Sequence, residues 1–223
     1  TPNPGEMLME VSDWNVWHPE QLGRQVIRQA AFSVRKGEIV GLAGLMGAGR
    51  TEFARSVFGQ TYGVKLSGRL KLHGKEVQIH NVRQAIAAGL AYVTEDRKSL
   101  GLNLLDTIKQ SITSAGLHKI QKLGVVDDNE EIVAAEKYRK SMRIKAPTIN
   151  EGVNKLSGGN QQKVVLGKWL FSNPDVLILD EPTRGIDVGA KYEIYTLIAQ
   201  LAAEGKCVIV ISSEMPELLG ITD

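Results

Sequence analysis

The chain contains a single cysteine, Cys207, so no internal disulfide can form. Set against the apolar run Val208-Ile209-Val210-Ile211, that thiol is expected to be buried and inert. No apolar segment approaches the roughly 18–20 residues that a bilayer-spanning helix needs, and no signal-peptide pattern opens the sequence. Neither sign of charge dominates: 27 Lys and Arg against 25 Asp and Glu leave a formal charge of +2. Without a basic run, electrostatics give no support for a nucleic-acid partner. These absences lead to the expectation of a soluble, cytoplasmic protein. What is present, 43% hydrophobic and 23% charged residues over 223 positions, suffices for a substantial core. The chain is one large α/β domain or a core with an inserted subdomain.

The organising stretch is Gly44-Leu45-Met46-Gly47-Ala48-Gly49-Arg50-Thr51. It follows the apolar run Ile39-Val40-Gly41-Leu42-Ala43 and precedes a helical pattern carrying Phe53, Ala54, Val57 and Phe58. Strand, glycine-rich loop and helix are the context of a phosphate-binding P-loop, in which backbone N–H groups and the positive helix end face phosphate oxygens. Thr51 occupies the position whose hydroxyl would ligate Mg²⁺, while Arg50 stands where lysine is usual. A forked, permanently charged arginine can clamp phosphate but does not fit the lysine's place unchanged. An ordinary strand-to-helix turn explains the same residues, so the decision rests further along the chain.

Residues 1–6, Thr-Pro-Asn-Pro-Gly-Glu, form a turn-rich lead expected to be a linker remnant. Strands are predicted over 7–11 and 30–34, with Trp14, Trp17 and His18 between them. Trp17 is placed to stack on an adenine, or the two tryptophans cover a sheet edge. A hairpin is predicted from 67–72 and 76–79, a short helix over 82–88 and a buried strand over 90–93. The charged loop Thr94-Glu95-Asp96-Arg97-Lys98 then leaves a carboxyl end of the sheet, where α/β proteins bind ligands. Between 106 and 145 the β-rich character disappears. A helix with Ile132, Ala135, Tyr138 and Met142 on one face reads as part of a helical insertion.

The core resumes with Val176-Leu177-Ile178-Leu179-Asp180-Glu181. Four apolar residues make a buried strand, and two adjacent carboxylates at its end are costly to bury without a task. Beside a P-loop they have one: Asp180 would hold Mg²⁺ through water, and Glu181 would orient or deprotonate the attacking water. A helix over 190–203, with Ile194, Leu197, Ile198 and Leu201 inward, and a strand over 207–211 complete the pattern.

Leu156-Ser157-Gly158-Gly159-Asn160-Gln161-Gln162-Lys163 is the most specific stretch. A helix cap explains the serine, but not two glycines that each weaken the helix they open. With the P-loop and the acid-ended strand, it resembles the ATP-binding cassette family over essentially the whole chain. The resemblance makes residues 44–51 the Walker A, 176–181 the Walker B, 156–161 the signature and Gly185-Ile186-Asp187 the D-loop. It implies a P-loop NTPase fold of the cassette type: a mostly parallel core sheet, an N-terminal antiparallel β part and an inserted helical subdomain. It also implies that ATP and Mg²⁺ are bound. Trp17, residues 44–51, Glu95 and Ser213 would contact the chain's own nucleotide, with Thr51, Asp180 and Glu95 at the metal and Glu181 catalytic. Ser157, Gly158, Gly159 and Gln161, with Asp187 nearby, would complete a partner cassette's site, since cassettes pair head to tail.

The wording of the motifs, including Thr-Glu-Asp-Arg-Lys at 94–98 and Asp-Glu-Pro-Thr-Arg-Gly-Ile-Asp-Val-Gly-Ala-Lys at 180–191, is similar to one group within that family. This is the second cassette of the two-cassette ATPase subunit of bacterial monosaccharide importers of the ribose, xylose and galactose type. Trp17-His18-Pro19 leans towards the xylose or multiple-sugar members. The resemblance implies a peripheral position on the cytoplasmic face of the inner membrane. The partners implied are a first cassette, a membrane permease and, indirectly, a periplasmic sugar-binding protein, with no nucleic acid. It implies a single domain: a linker at 1–6, the P-loop part of the core at 7–94, the switch loop and helical subdomain at 95–158, and the rest of the core at 159–223. A first cassette before Thr1 and further strands after Asp223 are expected. Three departures, Arg50, Glu95 for a glutamine and Ser213 for a histidine, fall in the chain's own site and leave its signature intact. They imply an asymmetric pair with a degenerate site here. The alternatives are a regulatory cassette without turnover and a non-transport cassette ATPase. A P-loop GTPase is disfavoured, because no Asn-Lys-x-Asp motif occurs.

Overall fold

The computed structural model describes residues 5–44 and 47–222. In chain order the elements are β1 (Met7–Trp17), β2 (Gln25–Arg35), β3 (Ile39–Ala43), α1 (Arg50–Val57), β4 (Val64–Leu72), β5 (Lys75–Val77), α2 (Val82–Ala87) and β6 (Leu90–Val93). Then follow α3 (Ile108–Thr113), β7 (Gln121–Lys122), β8 (Val125–Val126), α4 (Asp128–Ser141) and α5 (Gly158–Phe171). The chain closes with β9 (Val176–Asp180), α6 (Val188–Ala203), β10 (Cys207–Ser212) and α7 (Met215–Ile221). They group into two compact units. One comprises the chain up to Tyr92, Pro174–Glu181 and Ile198 onward; the other comprises Val93–Asn173 and Pro182–Leu197.

The first unit holds the predicted α/β core. Its main sheet has the order β3-β10-β9-β6, with β10 parallel to both β3 and β9. β6, β9 and β10 are buried at every position, which is why they read as unbroken apolar runs. Register decides what this sheet is for. Ser212 pairs with Ala43 and Ile211 with Asp180, so β3, β9 and β10 end level. The start of the glycine-rich loop, the Asp180–Glu181 pair and Ser213 therefore leave one edge of the sheet together.

The second sheet of this unit, β2-β1-β4-β5, is antiparallel. β1 runs past the expected end at Val11 because a bulge at 12–13, with Asp13 at φ +52°, resets the alternation. Met9, Val11, Trp14 and Val16 are thereby all buried, and period-two reading stops at the break. Opposite the bulge, Gly68 sits at φ +123°, and a Cβ there would lie 2.7 Å from the Asp13 carbonyl oxygen. Trp14 Nε1 donates to Ser56 Oγ at 2.9 Å, joining this sheet to α1.

The second unit contains the expected helical insertion, α3 to α5, plus a two-residue hairpin that the sequence reading missed. β7 and β8 pair around Leu123-Gly124, both at positive φ, the backbone of a tight primed turn. Thr107 and Gln110 form a capping box at α3, and the Asp127 carboxylate accepts from Asn129 and Glu130 N–H at the start of α4. The predicted inner face of α4 needs one correction. Ile132 is exposed, and Glu131 is buried in its stead, one turn before Ala135. Thr113 Oγ1 donates to Glu131 Oε1 at 2.8 Å and Lys109 Nζ lies 3.2 Å from Oε2, so the acid is compensated. Among the described residues no helix is long and apolar enough to cross a membrane.

Candidate functional site

In the first unit α1 opens directly from the glycine loop. Gly49 is its N-cap at φ +84° and supplies no side-chain cap, so it offers the first-turn N–H groups no side-chain partner, the arrangement in which a helix start can receive an anion. A side chain at Gly49 would meet Ile27 Cδ1 at 3.0 Å, which shows how closely the loop lies on β2. Trp17 ends β1 half-buried, in register with Gln25 beside that segment. His18 Nδ1 is already taken, accepting from the N–H groups of Glu20 and Gln21 at 3.1 and 3.0 Å. Leu45 and Met46 lie outside the described residues; Gly44, Gly47 and Ala48 stand in the loop between β3 and α1.

Arg50 reaches back along the sheet edge instead of out from the helix. Its Nη1 donates to the Ser212 carbonyl at 2.6 Å and its Nη2 lies 3.9 Å from Glu181 Oε1. The side chain runs alongside Gly44, where a Cβ would be 3.4 Å from Arg50 Cδ, an ordinary contact. Glu181 is held twice more. Its N–H donates to the Ile211 carbonyl at 2.8 Å, and its Oε1 accepts from the Ser213 N–H at 2.7 Å. Position 213 thus engages Glu181 through its backbone N–H, a contact that does not depend on its side chain. Glu181 also sits at φ +47°, a conformation costing a non-glycine residue about 1 kcal/mol.

Asp180 is fully buried at the end of β9. Tyr92 Oη donates to its Oδ2 at 2.8 Å and the Thr51 side chain is hydrogen-bonded to the same carboxylate. Its Oδ1 has no hydrogen-bond partner among the described residues. Burial pushes the Asp180 carboxyl above its ordinary range, against the pull of Thr51, Tyr92 and the Arg50 charge. An orphaned anionic oxygen next to a threonine hydroxyl is a donor set for a hard cation, and Mg²⁺ takes one or two protein oxygens while phosphates and water supply the rest. Among the described residues no group of three or more His, Cys, Asp or Glu is placed to hold a metal ion. Tyr92 carried no signal in the sequence beyond its place in a buried strand.

In the second unit Ser157 caps α5, its Oγ accepting from the Asn160 N–H at 3.4 Å and the Asn160 amide at 3.0 Å. Both glycines after Ser157 lie in close quarters. A Cβ at Gly158 would lie 2.7 Å from Arg97 Nη2, and one at Gly159 would lie 2.6 Å from Ala190 Cβ. Gln161 turns inward and donates to the Val153 carbonyl at 3.0 Å. Asp187 caps α6 by accepting from the Ala190 N–H at 3.0 Å. Glu95 forms an ion pair with Arg184, and Arg97 Nη1 donates to the Arg184 carbonyl at 3.0 Å. Arg97 and Arg184 fall within the 94–98 and 180–191 segments, but nothing in their spacing announces these contacts.

The ABC transporter family model matches residues 27–184. The chain is 56% identical over its whole length to the L-arabinose transport ATP-binding protein AraG of Geobacillus stearothermophilus, covering 44% of that protein. It is 51% identical over 99% of its length to the xylose import ATP-binding protein XylG of Thermoanaerobacter pseudethanolicus, covering 43%. The galactose/methyl galactoside import ATP-binding protein MglA of Escherichia coli is 47% identical over 99% of the chain and covered to 42%. The chain thus spans less than half the length of these relatives. In fold it is similar to a nucleotide-free ATP-binding cassette from an ABC transporter, with a TM-score of 0.82 at 17% identity over 98% of this chain and 86% of that one. A dimeric, post-hydrolysis cassette bound to ADP and Pi gives 0.79 at 18% identity, over 94% and 90%. The family model covers more than half of the chain, across the glycine loop before α1, the acid-ended β9 and the serine-capped α5, and the chain belongs to the ABC transporter family.

Proposed function

We propose that this chain is the second cassette of the ATPase subunit of a bacterial monosaccharide importer, and that it binds Mg·ATP and couples its hydrolysis to sugar import. The observation that carries the reading is the buried Asp180, with one oxygen unpartnered beside Thr51, at the sheet edge from which the glycine loop also departs. Sugar import is supported by the printed roles of relatives 47–56% identical across nearly the whole chain.

In this reading the loop N–H groups and Arg50 hold phosphate, and Trp17 stacks on adenine. Thr51 and Asp180 hold Mg²⁺, which when bound neutralises charge on the phosphates. Glu95, paired with Arg184, is less suited to that task than the resemblance implies. Glu181 orients the attacking water once its own contacts release it. The 157–159 turn completes the site of a first cassette, and the module works on the cytoplasmic face of the membrane with a permease and an extracytoplasmic sugar-binding protein. Engagement of Glu181 by Arg50 and the Ser213 N–H favours a weak or regulatory role for the chain's own site.

The test is steady-state phosphate release from the reconstituted full-length importer. Gly158→Asp, which sets an anion where the partner's γ-phosphate would lie, should abolish most hydrolysis. Arg50→Ala should be milder. Equal silencing by both would overturn the asymmetry, and absence of Mg·ATP binding would overturn the function.

A further inference from the structure

The signature turn, the loop after β6 and the segment before α6 are joined within the second unit by a small set of charged contacts. Arg97 begins a five-residue π-helix, Arg97–Gly101, a form often found at functional positions. Asp96 fixes its start by accepting from the Ser99 N–H at 3.0 Å. From there the guanidinium donates through Nη1 to the Arg184 carbonyl, while Nη2 occupies the space next to Gly158. Its Nε is buried without a hydrogen-bond partner among the described residues. Holding a guanidinium at the N-terminus of a fourteen-residue helix is electrostatically unfavourable, because the helix end is itself positive. Such an arrangement is stable when other contacts fix it, and it becomes favourable when an anion arrives. Glu95 and Arg184 supply the fixing, since their ion pair closes the loop back onto the segment whose carbonyl Arg97 uses.

We propose that Arg97 is a positioning residue for the signature turn. Hung on the Arg184 carbonyl and wedged on Gly158, its guanidinium sets how residues 157–159 are presented to a phosphate, and the Glu95–Arg184 pair ties that presentation to the loop after β6. Gly158 is then glycine for a reason beyond the helix start: a methyl there would lie 2.7 Å from Nη2 and displace the guanidinium whose Nη1 holds the Arg184 carbonyl. The proposal rests on the reading above that this turn completes an ATP site.

The experiment is a double-mutant cycle on the full-length protein, read as kcat and KM for ATP hydrolysis. Arg97→Ala should lower kcat about tenfold with KM nearly unchanged, the pattern of a contact felt in the transition state. Gly158→Ala should lose at least as much on its own. Combined, the two should be no worse than the poorer single variant, because the methyl then has nothing to strike. Arg97→Lys keeps the charge but lacks the second nitrogen, so Gly158→Ala should also be tolerated in that background. Losses that multiply in both backgrounds, or an unchanged kcat in Arg97→Ala, would overturn the proposal. Calorimetry of Mg·ATP binding to the unaltered protein separates the two readings: no binding sinks the ATP module itself, whereas normal binding with multiplied losses sinks only the role of Arg97.

Discussion

Arg50 Nη2 lies 3.9 Å from Glu181 Oε1, with the two side chains only 12% and 10% exposed. The residue that replaces the P-loop lysine is therefore turned towards the acid expected to activate water. Arriving phosphate has to compete with a carboxylate for that guanidinium, and at such low exposure the competition is weakly screened.

Replacing Arg50 by Lys should tighten Mg·ATP binding several-fold by calorimetry, since lysine is shorter and cannot hold the Ser212 carbonyl and Glu181 together. Glu181→Gln should also tighten binding, because the competing charge is gone, and should lower phosphate release from the full-length importer only as mildly as Arg50→Ala does. Clearly weaker binding in Arg50→Lys would mean that arginine is an adapted phosphate ligand.

Asp180 should cost stability at neutral pH. Its carboxyl is raised by burial, so its contribution is most favourable below the unfolded carboxylate range, about 3.9, and is lost as pH rises through the folded value. Asp180→Asn keeps an acceptor for Tyr92 and removes the charge. Its melting temperature should rise by a few degrees at pH 7 and by little near pH 4. An equal gain at both pH values would show that ionisation is not the cause.

Lys163 is 2% exposed, pairs with Glu193 and donates to the Arg143 carbonyl at 3.1 Å. Lys163→Ala should destabilise the protein by about 2–3 kcal/mol in urea titrations, below the range for fully buried pairs because Glu193 is 33% exposed and keeps Lys145. Lys163 first, then Lys145, holds the Glu193 carboxyl below its usual range. That contribution is complete above the unfolded glutamate value, about 4.3, and is lost as pH falls through the folded one. The wild-type advantage over Lys163→Ala should therefore shrink on acidification; a constant gap would mean that packing, not charge, is what was removed.

Cys207 should resist alkylation in the folded protein and react at once on unfolding. Burial foremost, with Glu38 and Asp175 nearby, pushes its thiol up to about 12, and its Sγ lies 3.0 Å from the Arg35 carbonyl oxygen. Mass spectrometry after iodoacetamide, with and without denaturant, checks this. Prompt labelling of native protein would contradict the packing of β10.

The sequence by itself determined whatever depends on neighbours along the chain. Four consecutive apolar residues before Asp180 read as a strand buried on both faces, and Gly47-Ala48-Gly49 before Phe53 and Ala54 reads as a tight loop entering a helix, as both prove to be. The identity of the motif residues belongs to that level too. Tertiary structure decided what each charged group does, because partners distant along the chain fix a carboxylate or guanidinium and no periodicity encodes them. Arg50 meeting Glu181, Arg97 filling the space beside Gly158, Glu131 displacing Ile132 from the inner face of α4 and the Ser213 backbone serving Glu181 all arise that way. The bulge at Asp13 is a further case: a single extra residue resets the side-chain alternation of β1, and only its pairing with β2 and β4 reveals where.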